Sequence, residues 1–336
     1  MIKPTALVTA SAGIGDILRV TPLIKVLSHL GYEVDVLISP DYLDTMSLLQ
    51  GAPEIRDLFC IPPSFNGDLH RHLQTLTNRV YDIATFTYWS FRLRQFVRSQ
   101  KILSFTHYDW FREGDIPCVK KIAGELGWNA NLPAPFAIAS QRTFGLKPNT
   151  IALHPGCKRD WPWKKWHGFE DLARMFPEVV ILGTPSDLLN NNTYFKKTFT
   201  WPPQAINVVG KLNLPDTAAL LRECAALVTN DSGLMHLSVA VGTTTFGIFG
   251  LTNPHREAIP SDKMVIIGRK VPCESRCWRH RWGDWHCDFH LQCLKLLSAE
   301  EVFDIVSQVL PGVLCSGDAA FSRTSESPKQ DIQISR

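Results

Sequence analysis

The 336-residue chain has no apolar run approaching the ~20 residues that cross a bilayer. It has no leader pattern either. The opening MIKPTALVTASAGIGDILRV holds only a few consecutive apolar residues, broken by Gly and Asp, and reads as a buried first strand rather than a signal peptide. Charge of one sign is not in excess: 35 basic against 32 acidic residues give +3, too balanced to coat nucleic acid, so no nucleic-acid partner is expected. Repeats and low-complexity arrays are absent. With 45% hydrophobic and 20% charged residues, wholesale disorder is excluded. A cytoplasmic setting is expected, in which the nine cysteines are reduced thiols or metal ligands rather than disulfides.

At roughly 150 residues per domain, the length predicts two domains. Thr5–Thr9 is a β-prone run, and the turn Ser11–Asp16 leads into a helical pattern over Ile17–Leu30 that stops at Gly31. Strands follow at Glu33–Ile38 and Tyr81–Tyr88. Periodicity fades over Leu132–Asn149, where three prolines mark a linker. A second series then predicts strands at Thr150–Leu153, Val179–Leu182, Ala226–Thr229 and Thr244–Phe249. Its helices fall near Gly168–Phe176, Asp216–Cys224, Gly233–Val241 and Ala299–Leu310. Alternating strands and helices predict two doubly wound, Rossmann-like α/β halves facing across a cleft. Domain limits are placed at 1–145 and 146–314, and the polar, Ser-rich residues 315–336 are expected to be a disordered tail.

Three strand-to-helix turns carry chemistry. In the first, Gly13 and Gly15 let the backbone approach a ligand. No third glycine completes G-x-G-x-x-G, so a dinucleotide site is not supported. Asp16 begins the first helix at the carboxyl edge of the sheet, where open α/β folds place ligands. It is either a helix cap or a carboxylate available to take a proton from an acceptor hydroxyl. The second turn is His154-Pro155-Gly156-Cys157-Lys158-Arg159-Asp160-Trp161-Pro162, with Lys164 and Lys165 behind it. Its cations suit a negatively charged ligand, or they form a solvated basic loop. In the third, Asp231, Ser232 and Gly233 open a helix whose amides would form a phosphate nest, with His236 one turn on. The plainer reading is a cap with a packed histidine. Taken jointly, the turns predict a nucleotide diphosphate held by the second half. The chain has no D-x-D, so no catalytic divalent metal is expected; Lys158, Arg159 and helix-start amides would neutralise the leaving group.

Together these segments resemble glycosyltransferase family nine, the bacterial heptosyltransferases of lipopolysaccharide synthesis. The matching pieces are ASAGIGDILRVTPLIKVL, LHPGCKRDWPWKKW, VVILGTPSD, NVVGKLNLPDTAALL and LVTNDSGLMHLSVAVGTTTFGIFGLTNP, in the family's order over residues 5–310. The resemblance implies a GT-B fold and inverting transfer from a nucleotide sugar, typically ADP-heptose. The first domain would bind the acceptor and the second the donor. Asp16 would be the catalytic base. The cation stabilising the leaving diphosphate falls on Arg159, where lysine is usual, or on Lys158 beside it. Donor contacts would involve Gly13, Gly15, His154, Pro155, Gly156, Asp231, Ser232, Gly233 and His236, with Gly210 and Lys211 beside the base. The acceptor stays open among a glycan, a lipid core and a protein. A different sugar, or a non-catalytic nucleotide-sugar binding protein encouraged by Arg159, are the alternatives.

Cys273, Cys277, Cys287 and Cys293 fall within 21 residues as C-x3-C-x9-C-x5-C, enough thiols for a structural zinc or iron site, with His280, His286 and His290 as spare ligands. The resemblance adds that a comparable segment in some relatives is associated with iron. Packed, reduced cysteines are the alternative. The same loop interleaves Trp278, Trp282 and Trp285 with Arg276, Arg279 and Arg281, which suits a peripheral contact with the inner face of the inner membrane, an anionic acceptor, or packing alone.

Overall fold

A computed structural model describes residues 3–192, 194–273, 277, 287 and 289–311, together with the backbone of 332–335. The chain divides into two compact units. One comprises residues 1–140 with 213–218, the other 141–212 with 219–336.

Among the described residues, the first unit is built on β1 (Thr5–Ala12), β2 (Glu33–Pro40), β3 (Asp57–Cys60), β4 (Val80–Phe86) and β5 (Arg98–Ser104). They form one sheet in the order β3-β2-β1-β4-β5, with all four neighbouring pairs parallel. The chain therefore leaves β1 on one side for β2 and β3, then returns to its other side for β4 and β5. The β1/β4 boundary is a topological switch point, where such sheets open a crevice at their carboxyl edge. Strand alternation buries both faces. Ala6, Val8 and Ala10 join Ile17, Leu23 and Leu27 in one core. Leu7, Leu37, Tyr81 and Phe86 form the other.

The helical run expected at Ile17–Leu30 is two helices, α1 (Ile14–Leu18) and α2 (Thr21–His29). Pro22 is the reason. It has no N–H for the Leu18 carbonyl, and its ring clashes with a continued helix. The Thr21 hydroxyl takes over, donating to Leu18 O at 2.7 Å and accepting from Phe136 N at 3.1 Å. Short helices α3 (Leu69–His72), α4 (Gln74–Thr77) and α5 (Trp110–Glu113) precede α6 (Asp115–Glu125). Residues 213–218 belong to this unit through Ser140 Oγ, which donates to Asp216, and Leu214 N, which donates to Asp44.

The second unit carries β6 (Ile151–His154), α7 (Phe169–Met175), β7 (Val179–Ile181), a two-strand pair β8 (Leu189–Asn190) and β9 (Lys197–Thr198), β10 (Ile206–Asn207), α8 (Leu214–Glu223, begun in the first unit), β11 (Ala226–Asn230), α9 (Gly233–Ala240), β12 (Thr244–Ile248), α10 (Pro254–Glu257), β13 (Met264–Arg269), α11 (Gln292–Lys295), α12 (Ala299–Val309) and β14 (Ile332–Ser335). Its sheet runs β10-β7-β6-β11-β12-β13-β14. Ile151, Leu153, Val228, Phe246 and Ile267 pack with Trp166, Phe169 and Val302 in its core. Trp166 is wholly enclosed and donates its indole N–H to Leu297 O at 2.9 Å.

The tail departs from the expectation of disorder over 315–336. Ile332–Ser335 pairs antiparallel with β13, Ile334 opposite Ile267. The reason is the β-branched alternation Ile-Gln-Ile-Ser, which fits an edge strand. Residues 312–331 lie outside those described.

Thr21→Val should lower stability by about 2 kcal/mol, because it leaves a buried carbonyl and a buried amide without their partner. Urea unfolding of both proteins checks this; a midpoint within error of wild type would show that the hydroxyl is dispensable at this helix junction.

Candidate functional site

In the first unit, Asp16 sits in the third position of α1, directly beyond β1. Ala12, the last residue of β1, is held at φ 84°, a conformation that an alanine adopts only when its surroundings impose it. Gly13 follows, and a Cβ there would stand 3.1 Å from an Asp16 oxygen. That approach lets Gly13 N donate to Asp16 Oδ2 at 2.8 Å. The other oxygen, Oδ1, accepts from Arg19 Nη2 at 2.6 Å. Arg19 also reaches Asp115 Oδ2 through Nε at 2.7 Å, and Asp115 Oδ1 accepts the Trp110 indole N–H at 2.6 Å. A buried guanidinium thus lies between two carboxylates. The three groups together carry one net negative charge, and Asp16 is the more exposed of the two acids, at 25% against 6%. The cap reading of Asp16 and its reading as an available carboxylate are therefore compatible, since one oxygen closes the turn while the carboxylate stays partly open. Arg19, Asp115 and Trp110 carried no signal in the sequence; their joining depends on the packing of α2 against α6, which brings Arg19, between α1 and α2, to the start of α6.

In the second unit, His154 ends β6 and its neighbour β11 leads into α9. His154 Nδ1 lies 3.0 Å from Thr229 Oγ1 and 3.2 Å from Ser232 Oγ. Ser232 caps α9, accepting from Met235 N at 3.4 Å. His154 Nε2 faces Asp187 Oδ2 at 3.8 Å. Asp187, in the turn after β7, also accepts from Thr184 N and from the Thr184 hydroxyl at 2.8 and 2.9 Å. Burial pushes the Asp187 carboxyl up, but the His154 imidazole and the Thr184 donors outweigh it and hold it at about 2. Gly156 is required here. A Cβ at that position would come within 2.3 Å of the Asp187 carboxyl carbon, so any side chain displaces the carboxylate. Asn230 ties the loop down, donating to Pro155 O at 2.8 Å and Gly156 O at 3.2 Å, while accepting from Trp166 N.

The third turn differs from the expected nest in one respect. The Asp231 N–H donates to Ile248 O at 3.3 Å and is not offered to a ligand. The intrahelical ladder begins later, which leaves the amides of Gly233 and Leu234 at the first turn of α9. The Asp231 side chain is buried and paired with Lys164 Nζ at 2.6 Å. Burial opposes ionisation of both groups. Their mutual attraction wins, with His236 and Thr252 also favouring the carboxylate, so Lys164 is shifted up and Asp231 down. Lys164 also lies over the Trp161 ring at 4.7 Å. Lys165 turns inward and donates to Leu189 O at 2.8 Å. Neither lysine belongs to a solvated basic run, because each meets an acceptor inside the unit. Lys158 and Arg159 do remain exposed. Gly210 N donates to Gly183 O at 2.9 Å, and Lys211 Nζ turns to Asn207 O at 2.8 Å.

The four cysteines of the 273–293 segment are half-buried thiols. Burial pushes Cys293 up to about 12, and Cys277, Cys287 and Cys273 push it the same way, so their charges are felt at one place. Leu291 N donates to Cys287 Sγ at 3.4 Å. Among the described residues, no three metal-ligating side chains are disposed to hold an ion. His290 is exposed and in ring contact with Tyr194, 5.7 Å between centroids. Trp278, Trp282, Trp285, Arg276, Arg279, Arg281, His280 and His286 lie outside the described residues. No helix among those described is long and apolar enough to cross a membrane.

Residues 121–281 match the model of glycosyltransferase family 9 (heptosyltransferase). Lipooligosaccharide heptosyltransferase 2 of Haemophilus influenzae is 35% identical over 105 residues, 31% of this chain and 29% of that protein. The fold matches that of Escherichia coli ADP-heptose lps heptosyltransferase II with a TM-score of 0.68 at 19% identity, over 91% of this chain and 98% of that one. Residues 121–281 are thus similar in sequence to glycosyltransferase family 9, and the whole fold of the chain is similar to that of solved heptosyltransferases. Its fold is the two-unit, Rossmann-like GT-B architecture. The matched sequence spans less than half the length of the curated relatives. A further fold match is the iron-containing dodecameric glycosyltransferase TibC of enterotoxigenic E. coli, with a TM-score of 0.62 and 15% identity over 94% of this chain and 81% of that one. That protein is also known in complex with ADP-D-beta-D-heptose. The family model begins at residue 121 and leaves out the Asp16 turn.

The Asp187 carboxyl lies lower in the folded chain than its ordinary value of 3.8. Its stabilisation is therefore complete above about pH 4 and is lost as pH falls toward 2. That lowering corresponds to about 2 kcal/mol. Asp187→Asn should be less stable by about that amount at pH 6, with the gap to wild type closing near pH 2. Denaturant melts across this range check it, and a gap independent of pH would rule out the ionised contact.

Proposed function

We propose that the chain is an inverting glycosyltransferase that moves heptose from ADP-heptose to an acceptor hydroxyl, with Asp16 as general base. The observation that carries the reading is the Lys164–Asp231 pair at the start of α9. A diphosphate is attracted to a helix N-terminus, yet this one begins with a carboxylate that would repel it. Lys164 at 2.6 Å cancels that charge and leaves the amides of the first turn to the anion. The family match, which contains this turn, and the ADP-heptose bound by TibC support the choice of donor.

In the proposed reaction, the acceptor O–H gives its proton to Asp16 and its oxygen bonds to the anomeric carbon. The bond from that carbon to the diphosphate oxygen breaks, and ADP leaves with the electron pair. Gly13 N–H and Arg19 fix the Asp16 carboxylate in one orientation, which is what a general base needs. Lys158 or Arg159, the exposed cations of the loop, meets the charge that develops on the leaving group. The acceptor would be a glycan, a lipid core or a protein, and the site a peripheral one at the inner membrane face.

Asp16→Asn should lower kcat by at least about a hundredfold while leaving ADP-heptose affinity unchanged. Of Lys158→Ala and Arg159→Ala, the one that removes the leaving-group contact should cost about a hundredfold in kcat, the other little. Steady-state transfer assays with calorimetric donor titration check both. Undiminished turnover in Asp16→Asn would remove this base, and donor binding without turnover in wild type would make the chain a binding module.

The reading also includes a structural metal, zinc or iron, held by Cys273, Cys277, Cys287 and Cys293. The four thiols within 21 residues support it, as does the iron-containing TibC among the fold matches. Purified protein should contain close to one equivalent of metal by elemental analysis, and a chelator should lower its melting temperature. Less than about a tenth of an equivalent would refute the metal.

A further inference from the structure

His154, expected among the donor contacts, turns its ring into the second unit. It is 5% exposed, and each ring nitrogen meets protein. Nε2 faces Asp187 Oδ2 at 3.8 Å, while Nδ1 faces the Thr229 and Ser232 hydroxyls at 3.0 and 3.2 Å. Two loops make room for this pair. A Cβ on Gly156 would collide with the Asp187 carboxyl. One on Gly183 would stand 2.9 Å from Asp187 Oδ2 and 3.1 Å from His154 Cδ2. Gly183 also holds φ 126°, a conformation that side chains rarely adopt. The turn that carries Asp187 is fastened from behind by the buried Lys165, whose Nζ donates to Leu189 O at 2.8 Å and to Ser186 O at 3.4 Å.

Donors and acceptors assign the protons. Asp187 is held well below the usual carboxylate range by His154 and the Thr184 donors, so an ionised acceptor faces Nε2. In the neutral imidazole the proton therefore belongs on Nε2, and Nδ1 is left to accept. Thr229 does not supply the donor, since its hydroxyl donates to Asn230 O at 3.0 Å. The Ser232 hydroxyl does. With its proton directed at Nδ1, the Ser232 oxygen keeps its place against Met235 N, which it caps at 3.4 Å. The cap then draws on the third amide of α9 and leaves those of Gly233 and Leu234 free of it. A serine without that anchor rotates among its staggered conformers, and those that leave Met235 N give up the cap.

A ligand role for His154 would need a ring nitrogen turned toward the ligand, and both are committed inside the unit. We infer that His154 is a positioning residue and not a donor contact: oriented by Asp187, it locks the Ser232 cap so that the first-turn amides of α9 stay open to a diphosphate. This deepens the proposed transferase reading and rests on the donor being seated at that turn.

Calorimetric titration with ADP and with inorganic pyrophosphate tests the role, with adenosine as the probe that lacks phosphates. Affinity for ADP and pyrophosphate should fall about tenfold in His154→Ala and in His154→Gln, whose amide reaches the place of Nε2 but leaves Nδ1 unreplaced. His154→Asn, with an amide oxygen at the place of Nδ1, should stay within about threefold of wild type. Adenosine affinity should not change. In a Ser232→Ala background, His154→Ala should cost less than about twofold more, because the group it holds is gone. Undiminished affinity in His154→Ala, equal losses in the Asn and Gln variants, or a parallel loss for adenosine would overturn the positioning role. So would a full loss that persists in Ser232→Ala, which would make His154 a direct contact. His154→Gln keeps the test open should His154→Ala not fold. Pyrophosphate bound by a wild type that refuses ADP-heptose would sink the choice of donor alone, and binding of neither would sink both.

Discussion

The Lys164–Asp231 contact is the interaction on which the second unit's chemistry depends. A buried ion pair of this kind is a poor source of stability, because desolvating both ions offsets much of their attraction. Its worth here is electrostatic placement. Helix α9 begins at the carboxyl end of β11 with an acid that closes the strand-to-helix turn, and without a cation that acid would make the helix start a place anions avoid. Lys164 comes from a loop that Asn230 fastens to the same strand end. The Asn230 side-chain bonds that hold the loop therefore also hold the charge balance.

The first unit solves the opposite problem. There, a carboxylate has to stay partly open yet not wander. Arg19 binds Asp16, and its own charge is balanced by Asp115, so the arginine is not left to neutralise Asp16 alone. Asp115 is in turn bound by Trp110, whose ring is locked between Tyr88, Trp89 and Phe111. Packing in one place thus sets the position of a charged group in another, through short contacts that each have a fixed geometry.

Much of the architecture was legible because buried parallel strands are written as continuous apolar runs. Strands β1, β2, β4, β6, β7, β11 and β12 all lie within a residue or a few of their expected places. The edge strand β5 was hidden by its composition. Arg98, Gln100 and Lys101 occupy an exposed flank, and no apolar period survives there. The break between α1 and α2 was readable from Pro22 but was outweighed by the periodicity on either side. In the site, the glycines, His154, Asp231, Ser232 and His236 were marked by their positions at strand ends. Their partners were not. Lys164 and Asp231 are separated by 67 positions and Thr9 and Ser90 by 81, and no local spacing can announce a contact that only the sheet order creates. Asp187 is the clearest omission. The room it fills beside Gly156 is a property of packing that a sequence does not display.

The antiparallel strand near the end of the chain has a practical meaning. Residues 332–335 cover the outer side of β13, whose row of amide and carbonyl groups would otherwise face another molecule. Expression designs that trim the last five residues would therefore uncover a ready template for intermolecular pairing.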